Sequence, residues 1–266
     1  MALHTTMASS RCAAPTHPSR CDGRASASGR LASHGSSRRP SVVSFRAVNA
    51  RDAEMLAVMG SLHEHAFKGL DRDAALEIAE QSHKTNPRVP GIGYFYGELS
   101  WSGAYDLVGL ADPREGDVFV DLGSGLGKMV LSAAMTRPFK ECRGVEILPE
   151  LHAKASAALA KLRDAVGEDA FAMLPPARLS LGDMLEAPVD DADVVFCFAT
   201  CFSPEVMGAL ASKLEAEMKP GARLILVSKQ VESEAFEPWG DGQGGYVSVE
   251  QAHSKWNLDC YLYRRT

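Results

Sequence analysis

The sequence predicts an α/β protein with a mostly parallel β-sheet, helices on both faces of the sheet, an antiparallel edge strand and a small helical segment in front. Two patterns indicate this class. Short apolar runs typical of buried strands alternate with segments of helical periodicity between residues 118 and 228. A final segment, 255–264, alternates apolar and polar side chains, as expected for an antiparallel edge strand. The chain has 266 residues, 45% of them hydrophobic, and can therefore fill such a core.

Two helices are predicted in front of the sheet. Between residues 53 and 66, apolar side chains recur at three- and four-residue spacing and define one face: Met55, Val58, Met59, Leu62 and Ala66. A second helix over 71–81 has Ala75, Ile78 and Ala79 as its buried side, and two prolines and a glycine in 86–91 end it. The helical segment is therefore placed at 51–92 and the sheet domain at 93–266.

The sheet domain begins with a buried strand at 118–121. The elements that follow are a helix at 128–136, a strand at 142–146, a helix at 151–163, strands at 177–181 and 193–198, a helix at 204–217 and a strand at 223–228. Ser203 before Pro204 is an N-cap followed by a first-turn proline, which marks the start of the last helix. The acidic, glycine-rich stretch 232–245 is predicted to be a long loop.

Residues 1–50 differ in composition from the rest of the chain. They hold seven of the 28 basic residues and one of the 34 acids, together with ten serines and nine alanines. This composition is typical of an unfolded mitochondrial or chloroplast transit peptide, which favours a plastid or mitochondrial location. A disordered basic arm on nucleic acid, in a nuclear protein, and a solvated tail without a partner remain open.

The remaining residues, 51–266, carry 21 basic and 33 acidic side chains. Such an acidic body gives no strong signal for direct binding to nucleic acid. No apolar run approaches the roughly 18 residues that a membrane-spanning helix needs. Cys197 and Cys201 have a spacing seen in metal sites, but no second Cys or His pair accompanies them. We therefore expect these cysteines to pack in the core, and we predict no metal site.

The most informative stretch is the glycine loop, 121–127, which reads Asp-Leu-Gly-Ser-Gly-Leu-Gly between the first strand and the next helix. Parallel sheets bind their ligands at the carboxyl ends of the strands. Glycines let a ligand approach the backbone, and the free N–H groups at a helix start can hold an anionic group. The loop therefore predicts a ligand site.

Three classes of ligand bind to glycine loops of this kind. A nucleoside triphosphate loop needs Ser or Thr after the lysine, whereas Lys128 is followed by Met129. A dinucleotide loop needs its third glycine three positions after the second, whereas Gly127 follows Gly125 by two. Asp121 in front of the loop instead matches enzymes that use S-adenosylmethionine.

With this loop the chain resembles the class I, Rossmann-like S-adenosylmethionine-dependent methyltransferases. The resemblance implies that Glu146, at the end of the second strand, accepts hydrogen bonds from both ribose hydroxyls of the cofactor. Asp183, after the third strand, would meet the adenine, and Lys128 would neutralise the methionine carboxylate. Each acid alone is commonly a solvated loop residue. The glycine loop, Glu146 and Asp183, however, stand at the ends of three successive strands, and their joint occurrence indicates the cofactor.

A narrower resemblance is to the disruptor-of-telomeric-silencing family, the histone lysine methyltransferases that have this fold. The matching motifs are 96–98, 105–108, 119–127, 144–146 and 202–206, in the family's order and spacing. The resemblance covers roughly 93–228 and implies a histone lysine methyltransferase acting in chromatin regulation, with this set of cofactor contacts: Tyr96, Gly97, Glu98, Leu99, Phe119, Val120, Asp121, Leu122, Gly123, Ser124, Gly125, Leu126, Gly127, Lys128, Glu146, Asp183 and Met184.

The segment after the fourth strand departs from that family. Residues 198–202 read Phe-Ala-Thr-Cys-Phe, and Ala199 stands where the histone enzymes have a channel-lining asparagine. The aromatic side chains Tyr96, Phe198 and Phe202 are candidates for a substrate channel, although such residues are also common in cores. The cofactor site is therefore carried over more firmly than the histone substrate.

The sequence alone leaves other functions open. The segment 198–202 has none of the Asn- or Asp-Pro-Pro-aromatic motif expected of nucleobase or amide methyltransferases. The alternatives to a histone enzyme are a small-molecule methyltransferase, a methyltransferase of other organellar proteins, and a cofactor-binding module without catalysis. Glu232, Glu234 and Glu237 in the 232–245 loop could attract a basic protein, but a solvated loop is the better explanation for them.

Overall fold

The computed structural model describes residues 50–85, 96–240, 245–250 and 257–266. Seven helices are present in these ranges: α1 Ala50–Ala66, α2 Arg72–Thr85, α3 Trp101–Leu110, α4 Lys128–Thr136, α5 Pro149–Val166, α6 Glu168–Phe171 and α7 Pro204–Glu217. Eight strands accompany them: β1 Val118–Leu122, β2 Glu141–Glu146, β3 Ala177–Leu181, β4 Val194–Phe198, β5 Arg223–Val227, β6 Phe236–Pro238, β7 Tyr246–Glu250 and β8 Asn257–Arg265.

One sheet contains all eight strands, in the order β3-β2-β1-β4-β5-β8-β6, with β7 also paired to β8. Strands β1 to β5 are parallel to one another, and β8 runs antiparallel to β5. The chain order reverses direction between β1 and β4, which opens a crevice at the carboxyl ends of these strands. The predicted mostly parallel sheet with an antiparallel edge is confirmed.

Apolar side chains cover the sheet on both faces. Phe119 packs with the helices α3, α4 and α5 in one cluster, whereas Val120 packs with α7 in the other. Successive strand residues point to opposite faces, so Asp121 follows Phe119 toward the face that α4 covers. This alternation places the acid at the carboxyl end of β1 beneath the first turn of α4.

The segment predicted as a long loop, 232–245, contains a strand. β6 lies inside it and pairs antiparallel with β8, whose other partners are β5 and β7. The antiparallel edge is thus three strands wide. The reason is that β8 is long enough, at nine residues, for both short strands to pair with it in succession.

The helices also differ from expectation in two places. On α1, Met55 and Val58 are 52% and 57% exposed, although the periodicity assigned both to the buried face. Ala66 is buried as predicted, Met59 and Leu62 are half-buried, and His63 near the C-terminal end of α1 is buried without having been predicted. α3 was not predicted, and it begins at an N-cap, Ser100, whose Oγ accepts a hydrogen bond from the Gly103 amide at 3.0 Å.

The tail 1–49 and the stretch 86–95 lie outside the described residues. Within the described ranges, no helix is both long enough and apolar enough to cross a membrane.

The cysteines Cys142, Cys197 and Cys260 are buried free thiols, while Cys201 is half-buried.

Candidate functional site: a cleft at the carboxyl ends of the parallel strands

The glycine loop leaves β1 and enters α4 through left-handed backbone conformations. Gly123, Gly125 and Gly127 have φ angles of 84°, 54° and 77°, which side chains with a Cβ rarely adopt. At Gly125 a close approach adds to this requirement, because a Cβ there would lie 2.8 Å from Cε2 of Tyr96. The loop backbone is therefore open to the cleft and in contact with the segment that covers it.

Strands β1, β2 and β3 bring three carboxylates to this cleft, as expected from the sequence: Asp121, Glu146 and Asp183. Glu146 is buried, and its Oε2 accepts a hydrogen bond from the Gly125 amide at 2.7 Å while its Oε1 accepts one from Leu148 at 2.8 Å. Burial raises the pKa of Glu146, although these hydrogen bonds act in the opposite direction. Glu146 thus fixes the loop and offers acceptor oxygens at the cleft.

Asp121 has an unmet hydrogen-bonding requirement. Its side chain is 2% exposed, and its Oδ1 has no hydrogen-bond partner among the described residues. Burial, and next the charge of Glu146, raise the pKa of Asp121 well above its usual range. A buried acceptor of this kind is costly unless a donor or a cation reaches it. A ligand that places a cationic or hydrogen-bond-donating group beside Asp121 would satisfy this acceptor.

Residues 96–100, which we call the strap, form one wall of the cleft. Glu98 in the strap makes an ion pair with Lys128, with 2.6 Å between Oε1 and Nζ. The other oxygen, Oε2, is buried and has no hydrogen-bond partner in the described part of the chain. Gly97 lies so close to Phe198 that a Cβ on it would be 2.0 Å from Cε1 of the ring. The strap is therefore anchored to α4 on one side and to the end of β4 on the other.

The segment after β4 supplies a largely apolar wall. Phe198, Cys201 and Phe202 line the cleft there, beside Tyr96 of the strap. Burial raises the pKa of the Cys201 thiol and raises that of the Tyr96 hydroxyl well above its usual range. Both groups are consequently neutral at physiological pH, so this wall contributes apolar surface and no charge.

Helices α1 to α3 close the cleft from the third side. His63, Ala79, Trp101 and Ala104 line it, and none of them was predicted as a site residue. A single histidine on a helix such as His63 gives no local sequence signal for this role. Tertiary packing, rather than any local motif, brings these residues to the cleft.

Most of the predicted cofactor residues line this cleft, and five do not. Those that line it are Tyr96, Gly97, Glu98, Leu99, Asp121, Gly123, Ser124, Gly125, Lys128, Glu146, Asp183 and Met184. Phe119, Val120 and Leu122 are buried strand residues that face the core on either side of the sheet, and Leu126 and Gly127 are buried where the loop joins α4. The structure therefore places these five residues behind the cleft surface.

The residues present fit S-adenosylmethionine. Its α-ammonium group is a cationic donor of the kind that Asp121 lacks, and its ribose diol suits the carboxylate of Glu146. The glycine backbone leaves room for close approach at the carboxyl ends of β1 and β2. Lys128 also lines the cleft, where its ammonium group could bind the carboxylate of the ligand, although it is already paired with Glu98.

A family model for the ANTKMT methyltransferase domain matches residues 121–233, which begin at the acid at the end of β1. The cofactor is S-adenosylmethionine. The matched residues contain the glycine loop, Glu146, Asp183 and the segment 198–202, and thus most of the cleft. This part of the chain is a methyltransferase domain that uses S-adenosylmethionine.

Two relatives have named activities. The chain is similar to a protein-lysine N-methyltransferase of Saccharolobus islandicus, with 29% identity over 158 residues that cover 59% of this chain and 84% of the relative. It is also similar to the H3 lysine-79-specific histone-lysine N-methyltransferase of Drosophila melanogaster, with 27% identity over 173 residues. That match covers 62% of this chain and only 9% of the fly protein.

Among solved structures, an RNA methyltransferase from Salinibacter ruber in complex with S-adenosyl-L-homocysteine superposes with a TM-score of 0.44. The two chains are 27% identical, and the match covers 61% of this chain and 89% of the other.

Proposed function

We propose that this protein is an S-adenosylmethionine-dependent protein lysine N-methyltransferase. The observation that carries the proposal is the uncharged wall of Tyr96, Phe198 and Phe202 next to the acids of the donor cleft. The similarity to the archaeal and fly lysine methyltransferases supports the same acceptor. A histone acceptor is the narrower form of this proposal, supported by the fly relative and by the motif order.

The chemistry requires little more than alignment and a neutral amine. When bound, S-adenosylmethionine supplies a methyl group on a sulfonium, which a neutral amine attacks in line. The residues of the chain must hold that amine in place and exclude water. A lysine amine has an ordinary pKa of about 10.4, and an apolar wall lowers it by disfavouring the ammonium form. Phe198 and Phe202 provide such a surface.

An acidic body supports a basic protein as acceptor. Glu232, Glu234 and Glu237 are exposed, as a surface for electrostatic attraction requires. They do not line the cleft, and Glu237 lies 4.0 Å from Arg264 across the β6–β8 pair. Their contribution would therefore be to the rate of encounter with a basic protein rather than to the chemical step.

The composition of residues 1–50 supports import into a plastid or a mitochondrion as a further proposal. A fusion of residues 1–50 to a fluorescent reporter tests it. Accumulation of the reporter in an organelle supports import, while accumulation in the nucleus favours the basic-arm alternative and a chromatin acceptor.

The acceptor is tested by incubating the full chain with methyl-labelled S-adenosylmethionine and, separately, with histones, an organelle protein extract, RNA and a small-molecule extract. Label in histones supports the narrower proposal, and label in organellar proteins alone supports the broader one. Label confined to RNA or to small molecules contradicts both.

The pH dependence provides a second test. Because only the neutral amine reacts, the rate on a lysine peptide should rise with pH between 7 and 9, by up to about tenfold per unit below the pKa of the bound amine. A rate that is independent of pH over this range would contradict attack by an amine.

A further inference from the structure

The C-terminal end of α1 places a buried histidine beneath the first turn of α4. His63 is 8% exposed, and its ring lies between Phe67 and Trp101, with centroid distances of 4.6 Å and 4.9 Å. These two contacts fix the plane of the imidazole. The helix α1 itself packs against α4 and α5.

The ring nitrogen Nε2 of His63 faces two oxygens of α4. It lies 3.4 Å from the backbone carbonyl oxygen of Lys128 and 3.3 Å from Oγ of Ser132. Because a carbonyl oxygen can only accept, the contact with Lys128 requires the proton on Nε2. Burial lowers the pKa of His63 to about 4, and the Lys128 ammonium contributes in the same direction. The imidazole is therefore neutral at physiological pH and donates from Nε2.

Lys128 is contacted from the N-terminal helical segment at two points. Besides the contact from His63 to its carbonyl oxygen, its Nζ lies 5.3 Å from the ring centroid of Phe67, and the same Nζ is paired with Glu98 of the strap. The main chain and the side chain of this one residue are thus both held.

The position of Lys128 matters because it is the first residue of α4. It follows Gly127, whose φ of 77° ends the glycine loop. A displacement of its carbonyl would tilt the first turn of α4 and shift the glycine loop, whose Gly125 amide donates to Glu146 in the cleft. It would also shift Nζ relative to Glu98, and with it the strap.

We propose that His63 is a positioning residue for the S-adenosylmethionine site, which acts by donating a hydrogen bond from Nε2 to the Lys128 carbonyl at the junction of the glycine loop and α4. The helices in residues 50–85 then contribute to the S-adenosylmethionine site as well as covering the sheet. This role concerns S-adenosylmethionine binding only and does not depend on whether the methyl acceptor is a lysine.

Two substitutions in the full chain separate the hydrogen bond from packing. His63→Phe keeps a ring between Phe67 and Trp101 but removes the N–H group that donates the hydrogen bond. His63→Gln removes the ring but keeps an N–H group at a similar distance from the backbone. His65→Phe is the matched control, because His65 is exposed two residues further along the same helix. Calorimetric titration with S-adenosylmethionine gives the dissociation constant, and thermal unfolding without the donor gives the stability of each variant.

We expect His63→Phe to raise the dissociation constant about three- to tenfold, the range for one neutral hydrogen bond. His63→Gln and His65→Phe should stay within about twofold of the unmodified chain by the same measure. The proposal is overturned if His63→Phe binds the donor normally with only its unfolding temperature changed, or if His63→Gln fails to restore binding. If His63→Phe does not fold, the test rests on His63→Gln. An affinity for S-adenosylmethionine within about twofold of the unmodified chain supports the hydrogen bond from residue 63, and a larger loss of affinity overturns it.

Discussion

Replacing Asp121 by asparagine should change stability and donor binding in opposite directions. In the free protein, Asp121 is 2% exposed and its Oδ1 has no hydrogen-bond partner among the described residues. Replacing this buried carboxyl by a neutral amide removes the free-energy cost of ionising it, so the free energy of unfolding should rise by about 1–2 kcal/mol at pH 7. In the complex, the same change removes a charge-assisted hydrogen bond to the donor's ammonium, worth about 1.5–3 kcal/mol, so binding should weaken about 10- to 150-fold.

The stability gain should depend on pH. Because the folded-state pKa of Asp121 is raised above its ordinary value of 3.8, the folded chain holds its proton more tightly than the unfolded chain does. Its contribution therefore lowers stability as pH rises above 3.8, and no difference is expected well below that value. The advantage of Asp121→Asn should accordingly appear as pH rises.

Urea unfolding at several pH values measures the first effect, and calorimetric titration with S-adenosylmethionine measures the second. Asp190→Asn is the matched control, since Asp190 is an exposed aspartate outside the cleft, and it should leave both quantities unchanged. Destabilisation of the free protein by Asp121→Asn at pH 7, or binding of S-adenosylmethionine as tight as that of the unmodified chain, would contradict this role of Asp121.

Two further predictions concern the strap. Gly97→Ala places a Cβ 2.0 Å from Cε1 of the Phe198 ring. The strap or the ring must then move away from the cleft wall, so methyl transfer should fall at least about tenfold in rate measurements. Gly97→Ala combined with Phe198→Leu should recover part of the rate, because the smaller side chain makes room for the Cβ. Glu98→Gln leaves the half-buried Lys128 ammonium without its ion-pair partner and should lower the free energy of unfolding by about 1–3 kcal/mol, whereas Glu168→Gln, at an exposed ion pair, should change it by less than about 0.5 kcal/mol in the same urea titration.

The parallel part of the fold was predictable because each element has its own local signal. The strands β1 and β4 are short apolar runs, and the limits of α7 follow from Ser203, Pro204 and the Lys-Pro-Gly sequence after it. The glycines after β1 and the acids at the ends of β2 and β3 indicate the position of the cleft from the sequence alone. These signals depend only on neighbours in sequence.

The remaining features depend on contacts between distant parts of the chain. Met55 and Val58 fit a helical stripe, but the burial of α1 is decided by what packs on it near His63. The strand β6 forms because β8 offers it a partner, which the composition of 232–245 does not reveal. Lys128 was assigned to the cofactor's carboxylate, and its pairing with Glu98, 30 residues earlier, follows from the path of the strap.

The identity of the methylated atom decides whether the protein is a lysine methyltransferase. The full chain is incubated with methyl-labelled S-adenosylmethionine and an acceptor protein pool, the protein is hydrolysed to amino acids, and the labelled products are separated and identified by mass. We expect label in methylated lysine with the unmodified chain and with Asp190→Asn, and much less with Asp121→Asn. Label in another amino acid, or lysine labelling that Asp121→Asn leaves unchanged, would contradict it.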